Sequence, residues 1–393
     1  MIKTKRLLNY GLFVTILLVA VISLPSKRVH AISSADWQAG RIIDDTVFTD
    51  ADSMSVDQIQ TFLNTQVPDC DINGTEPATD WGRPDLTHAQ FATQVKGWPG
   101  PPYVCLKNYY EVPKTTPGAG MPDNSYNHYD AAGKQLLPVP GGVSAAQLIY
   151  NAAQQYHISP KVLLVKIKSE SAGPLTNDPW PLQYQYTYAM GAHCPDNGPN
   201  HSANCDPNYA GFSIQISEAA SLLRYYLDNM SQPWWPYKTP GINSILYNPD
   251  PACGSSNINI TNSATAALYT YTPYQPNQAT LDAGYGTAPC GAYGNRNFWL
   301  YFNNWFSTTY APSYAWKVAS QYAFTDDTKT KSIGLNNLVA GQRAFIGFTA
   351  VNTGNTTWTN SGTNPVDVGT LRPTDRPSQF YDSTWLGYGR PGR

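Results

Sequence analysis

Six cysteines constrain this chain more than any other feature. They stand at positions 70, 105, 194, 205, 253 and 290, two in each of three successive stretches of a 393-residue sequence. An even set in an exported chain favours disulfides. The two-per-stretch arrangement predicts Cys70–Cys105, Cys194–Cys205 and Cys253–Cys290. A competing zinc site would use His193, Cys194, His201 and Cys205, but that spacing matches no common zinc pattern and export favours oxidation. No metal is expected. Export itself is read from the start of the chain. Lys3, Lys5 and Arg6 precede an uncharged stretch from Leu7 to Leu24, and Val29-His30-Ala31 has the form of a cleavage site. Residues 1–31 therefore read as a signal peptide, and the product as secreted or held at the cell surface. The apolar stretch, roughly 18 residues, is at the lower limit for a membrane-spanning helix, so membrane anchoring follows only if the signal is retained.

Charged residues make up 13% of the chain and the net charge is −2, which implies no nucleic-acid partner. Aromatic residues also make up 13%, with 27 Tyr and 11 Trp. Tyr, Trp, Asn and Gln suit sugar-binding clefts, where rings stack on pyranose faces and amides bond hydroxyls. They equally suit a neutral, soluble exported surface. The length predicts two or three domains.

Residues 32–142 read as a loop-rich, disulfide-stapled N-terminal region. Ser55-Val56-Asp57-Gln58 and Thr87-His88-Ala89-Gln90 are capping boxes for short helices, and Trp98-Pro99-Gly100-Pro101-Pro102 stops the second. Asp50-Ala51-Asp52 hints at a calcium loop, but Met54 and Ser55 stand where an EF-hand needs an oxygen ligand and a glycine. From 143 to 312 helical signals dominate. Ser144 caps a helix carrying Leu148, Ile149, Ala152 and Ala153. Ser159-Pro160 opens another that runs to Glu170. Further helical runs follow Gly211, cover 264–269, and contain Phe298, Phe302 and Trp305. From 318 to 393 the period changes: 343–351 predicts a strand, Asn352-Thr353-Gly354-Asn355 a turn, and Thr356-Thr357-Trp358 the start of another strand. This is β-sandwich texture. The segment is shorter than the ~100 residues a sandwich usually takes, and Arg393 ends it without a closing strand, which implies a fragment or an incomplete last domain.

Glu170 is the carboxylate with a chemical look. It lies at i+7 from Leu163 and i+3 from Ile167, on a face expected to be buried. Desolvation there, and the negative end of the helix dipole, would both favour its protonated form, as a glycosidase acid requires. Asp178 and Asp196 are candidates for a second carboxyl. Trp234-Trp235-Pro236-Tyr237 could be a stacking platform, although Pro-flanked aromatic clusters more often pack a loop onto a core. There is no G-x-S-x-G, P-loop or H-E-x-x-H pattern.

The segment Tyr156 to Leu164 followed by Glu170-Ser171 resembles the start of the lysozyme-like lytic transglycosylase domain, which places its catalytic acid in a Glu-Ser pair at this helix end. Gly211-Phe212-Ser213-Ile214-Gln215-Ile216 is similar to that family's Gly-Leu-Met-Gln loop, and Ala266-Ala267-Leu268-Tyr269-Thr270 to its Ala-x-x-Tyr-Asn segment. Ser213-Ile214 and Thr270 depart from the pattern, and the loop between Glu170 and Gly211 is long. The chain also resembles a group of actinobacterial-type exported proteins, sometimes labelled haemagglutinin, through Pro179-Trp180-Pro181, Ala189-Met190-Gly191, Tyr271 to Asn277 and Tyr293 to Trp299. Phe348 to Trp358, with Val368-Gly369-Thr370 and Trp385, looks like a four-tryptophan Ig-like domain.

These resemblances imply a multidomain α plus β protein in which a lysozyme-like irregular α-domain precedes an Ig-like β-sandwich. They imply an enzyme cleaving the linkage between N-acetylmuramic acid and N-acetylglucosamine in peptidoglycan, without a cofactor. Glu170 would be the general acid/base, with Gln215, Tyr269 and Ser171 on the substrate; Trp180 is a candidate stacking residue, and both Tyr269 and Trp180 read equally well as aromatics that fill a core. A single Glu suffices if, as in lytic transglycosylases, it donates a proton to the leaving oxygen and then accepts one from the muramyl 6-hydroxyl. The alternative is a non-catalytic, adhesin-like protein binding cell-wall or other surface glycans on the same scaffold.

Overall fold

The computed structural model describes residues 32–393 apart from 127–129, 133, 135–137, 171–179, 181, 196, 200–201, 335–336, 338, 340–341, 355, 360, 362–365, 367, 370–376 and 378–393. The expected signal peptide, Ser171, Asp178, Asp196 and Trp385 lie outside the described residues.

The helices begin where side chains can satisfy their first amide groups. Ser55 caps α1 (Val56–Gln66) with Gln58 in a reciprocal box: the Gln58 amide donates to Ser55 Oγ at 3.3 Å and the Ser55 amide to Gln58 Oε1 at 2.8 Å. Ser144 caps α2 (Ala145–Tyr156), which buries Leu148, Ile149, Ala152 and Ala153. Pro160 occupies the first position of α3 (Pro160–Glu170), which is buried continuously from Val162 to Lys168. Helices α4 (Phe212–Asn229), α5 (Ser263–Tyr271) and α6 (Gly294–Phe306) follow. Helix α2 packs on α4, α3 on α6, and α4 on α5. Their apolar faces meet in one core that also takes Ile42, Ile43, Phe48, Ile59 and Leu63 from the start of the chain. That start is pinned to α5. The Ile42 amide donates to Thr265 Oγ1 at 2.9 Å, and the Ala264 amide to Asp45 Oδ1 at 2.6 Å. A smaller second core gathers Ala78, Phe91, Ala92, Tyr103, Trp180 and Leu182.

The sheets are small and antiparallel. Strand β1 (Pro77–Ala78) pairs with β2 (Arg83–Thr87), and β3 (Tyr110–Glu111) with β4 (Val143–Ser144). A hairpin joins β5 (Gly241–Leu246) to β6 (Ser255–Ile260). Its strands are rich in Asn and Ser, and the only alternation, Asn257-Ile258-Asn259-Ile260, is too short to have predicted it. A three-stranded sheet has the order β8 (Ser332–Ile333), β7 (Trp316–Phe324), β9 (Phe345–Asn352). Strand β9 forms where 343–351 predicts it. The strand expected at Thr356–Trp358 does not form, because that segment folds back on the approach to β7: the Thr356 amide donates to Ser313 O at 3.0 Å and Asn352 Nδ2 to Thr356 O at 2.8 Å. The fold is thus mixed α plus β. Cys70–Cys105, Cys194–Cys205 and Cys253–Cys290 are all bonded, as their spacing predicts.

One buried carboxylate joins β3 to α4. Glu111 is fully buried, and its oxygens accept from the Phe212 amide at 2.8 Å, the Ser213 amide at 2.8 Å, Ser213 Oγ at 2.5 Å and Tyr109 Oη at 2.7 Å. An anion at a helix N-terminus meets both the orphan amides and the positive end of the dipole. Burial raises the Glu111 pKa, and these four donors oppose that rise. Close approach needs Gly211, whose φ is +126° and where a Cβ would lie 2.7 Å from Pro122 Cδ.

Glu111→Ala leaves buried amide groups without an acceptor and should cost ~3 kcal/mol, read as a lower denaturation midpoint; an unchanged midpoint would refute the clamp. Removing Cys253–Cys290, which closes a sequence separation of 37 residues, should cost about 2–4 kcal/mol in the double Ser variant, measured by urea unfolding.

Candidate functional site

The last turn of α3 brings Glu170 out of the core. Lys166, one turn earlier and itself only 3% exposed, donates Nζ to Glu170 Oε1 at 2.5 Å. The same ammonium sits 3.8 Å from the ring centroid of Tyr271 at the end of α5. Tyr271 Oη in turn donates to Met190 O at 2.8 Å. Burial, and secondarily the Glu170 charge, push the Tyr271 phenol well above its ordinary value, so it remains a hydrogen-bond donor. The second oxygen of Glu170 faces Gly191, where a Cβ would lie 3.5 Å from Oε2. Gly191 has a φ of +63°, a left-handed conformation that glycine adopts without strain.

This geometry corrects the expectation of an isolated carboxyl on an apolar face. The helix has no single buried face over 162–168, because neighbours surround it on all sides. Glu170 then emerges at the helix end with a side chain 27% exposed and a cationic partner at i−4. The spacing that aligned Glu170 with Ile167 was real, but Lys166 is the neighbour that reaches it.

The other expected substrate contacts also land elsewhere. Gln215 is fully buried. Its Nε2 donates to Ala192 O at 2.9 Å and Tyr209 O at 2.8 Å, and its Oε1 accepts from the Met190 and Ala192 amides at 3.3 and 3.1 Å. Gln215 therefore shapes the 190–192 loop that faces Glu170, and does not line a sugar cleft. Tyr269 is buried in the main core and donates Oη to Ala39 O at 3.1 Å. Trp180 is buried in the second core, its ring parallel to that of His88 at 4.1 Å between centroids. Neither ring faces solvent, because each is needed to fill a core. Of the expected contacts Ser171 lies outside the described residues, and among the rest only Glu170 reaches the surface.

Sequence reasoning missed Lys166, Gly191 and Tyr271. The i,i+4 spacing of Lys166 and Glu170 was a legible signal; the other two required the tertiary fold. A further carboxyl stands on the same loop wall, where His193 Nε2 meets Glu218 Oε2 at 3.1 Å and the His193 ring stacks on Tyr209 at 3.6 Å. Glu218 follows Gln215 by one helical turn. In the 234–237 segment, Trp235 packs among Tyr225, Tyr226 and Tyr237, while Trp234 and Tyr237 are 57% and 59% exposed.

Asp71, Glu76 and His88 bring donor atoms within 4.8 Å of one another. Hydrogen bonds already account for this cluster. Asp71 accepts from the Thr75 amide at 2.7 Å and the Glu76 amide at 3.1 Å, and His88 lies between Asp71 Oδ2 at 2.9 Å and Asp80 Oδ1 at 3.0 Å. No metal is assigned to it. Burial works to raise the Asp71 pKa, but the hydrogen bonds from His88, Thr75 and Glu76 outweigh it and hold the carboxyl below its ordinary range.

Compared with family models, characterised proteins and solved structures, the chain matches none.

Because the native Asp71 value is depressed, its stabilisation is complete above the unfolded value of about 3.9 and is lost as pH falls through the native value. Denaturant unfolding should show stability declining below about pH 4, with a shallower acid limb in Asp71→Asn. Identical slopes in the two proteins would exclude Asp71 as a contributor.

Proposed function

We propose that the protein is an exported, peptidoglycan-active glycosidase of the lytic transglycosylase or lysozyme kind, with Glu170 as its general acid/base. The observation that carries this reading is the setting of Glu170: a surface carboxyl at the end of a buried helix, one oxygen held by Lys166 and the other facing a side-chain-free position at Gly191. Glu170 would donate its proton to the leaving glycosidic oxygen. Lys166 Nζ already pairs with Glu170 in the resting structure, so the pair supports the carboxylate as proton acceptor, and the donating step has to draw on a proton held at the other oxygen. In the transglycosylase course the carboxylate then takes the proton of the muramyl 6-hydroxyl as that oxygen closes on the sugar C1. The single carboxyl is thereby restored to its starting state, and no second carboxyl is consumed. In a lysozyme course, water takes the place of that hydroxyl. Three disulfides are compatible with an oxidising, extracellular setting. The likeness of Phe348–Trp358 to a four-tryptophan Ig-like domain supports a surface module at the C-terminal end.

A second reading, a wall- or glycan-binding protein without catalysis, is favoured by the burial of Gln215 and Tyr269. A cleft of the resembled family would use both on substrate, and here both are structural.

Incubation of the full chain and of Glu170→Gln with purified peptidoglycan, followed by mass analysis of released muropeptides, separates these readings. The expected result is anhydro-muropeptides from the wild type and at least about a 100-fold loss in the variant. Hydrated products would indicate a lysozyme. No release by folded wild-type protein from several wall types would reject the enzyme and leave the binding protein.

A further inference from the structure

A cavity of about 370 Å³ opens beside the second core, walled by Trp98, Tyr103, Tyr126, Leu182, Tyr184 and Thr187, with Pro99 and Gly100 along one edge. We propose that it is a binding site for one neutral hexopyranose unit of a glycan chain. The size falls in the ~300–1,000 Å³ range of small-molecule sites, which are largely apolar with a few polar groups.

The walls are braced from behind. Tyr126 Oη donates to Val104 O at 3.0 Å and accepts from the Val104 amide at 3.1 Å. Tyr103 is backed by the buried Trp180 ring at 5.7 Å, and Trp98 by Phe91 and Trp81 at 6.2 and 5.6 Å. Trp180 thus serves this site from behind, as a support for its wall. At the mouth, the Trp98 and Tyr184 rings lie 5.5 Å apart and are inclined at 53°. Tyr184 is half-exposed.

The chemistry of the walls selects the ligand. Among the described residues every lining side chain is uncharged, which favours a neutral ligand over one that must bury a charge. The Trp98 and Tyr184 rings touch each other and together form an aromatic surface, on which the C–H face of a pyranose can stack from the cavity side. The Thr187 hydroxyl and the backbone of Pro99 and Gly100 supply polar contacts at the edge for sugar hydroxyls. None of the lining residues is a partner of Glu170, so this binding does not depend on whether Glu170 cleaves.

Titration of the full chain with chitotriose and cellotriose, followed by calorimetry and tryptophan fluorescence, tests the proposal. At least one of the two should bind. Trp98→Ala and Tyr184→Ala should each weaken that binding ~10-fold or more while near-ultraviolet circular dichroism confirms the fold. Two results would overturn the assignment: neither sugar binds, or binding survives both aromatic substitutions. Binding of a proline-rich peptide at the same residues, with no sugar binding, would also overturn it. Failure of the Glu170 cleavage assay would leave this result standing.

Discussion

The Glu111 carboxylate at the N-terminus of α4 is the contact on which the rest of the arrangement depends. It ties a two-residue strand from the loop-rich N-terminal region to the longest helix of the core. A buried carboxylate is costly unless its lone pairs are filled, and here two amides and two hydroxyls fill them. Two buried liabilities, an anion and the orphan amides of a helix start, cancel each other. With α4 held at that end, Gln215 is placed to bond the backbone at Met190, Ala192 and Tyr209. Those bonds set the loop that carries Gly191 to Glu170.

The candidate site is therefore assembled from three directions. Helix α3 delivers Glu170 and Lys166, α5 delivers the Tyr271 ring beneath the ammonium, and the loop ordered by Gln215 delivers Gly191. Lys166 is almost fully buried, and a buried ammonium needs partners. It has two of different kinds, a carboxylate and an aromatic face. One oxygen of that carboxylate is held by Lys166, and the other faces Gly191.

Much of the fold was legible locally. Ser55, Ser144 and Ser159-Pro160 marked helix starts because capping is settled within four residues, and β9 was visible from its β-branched and aromatic run. The β5–β6 hairpin was hidden because its strands are polar and half-exposed, with pairing supplied by backbone hydrogen bonds that any side chain permits. Of the candidate site, Glu170 was legible as a carboxyl at the end of an apolar helix. Trp180 and Tyr269 were misread because an aromatic residue that fills a core and one that stacks on a sugar have the same composition signal. Trp98 and Tyr184 went unnoticed for the same reason, since only their placement at the mouth of a cavity distinguishes them.

By itself the sequence determined the three disulfide pairs, the principal helix starts and the position of one chemically suggestive carboxyl, because spacing along the chain and local hydrogen bonding are sufficient to set them. Tertiary structure alone decided what surrounds that carboxyl, which aromatic rings meet solvent, and that Gln215 builds a loop from within. Those outcomes depend on contacts between residues far apart in the chain, such as Glu111 with Ser213 and Tyr271 with Met190. The desolvation and pairing of each group follow from such contacts, and no local pattern encodes them.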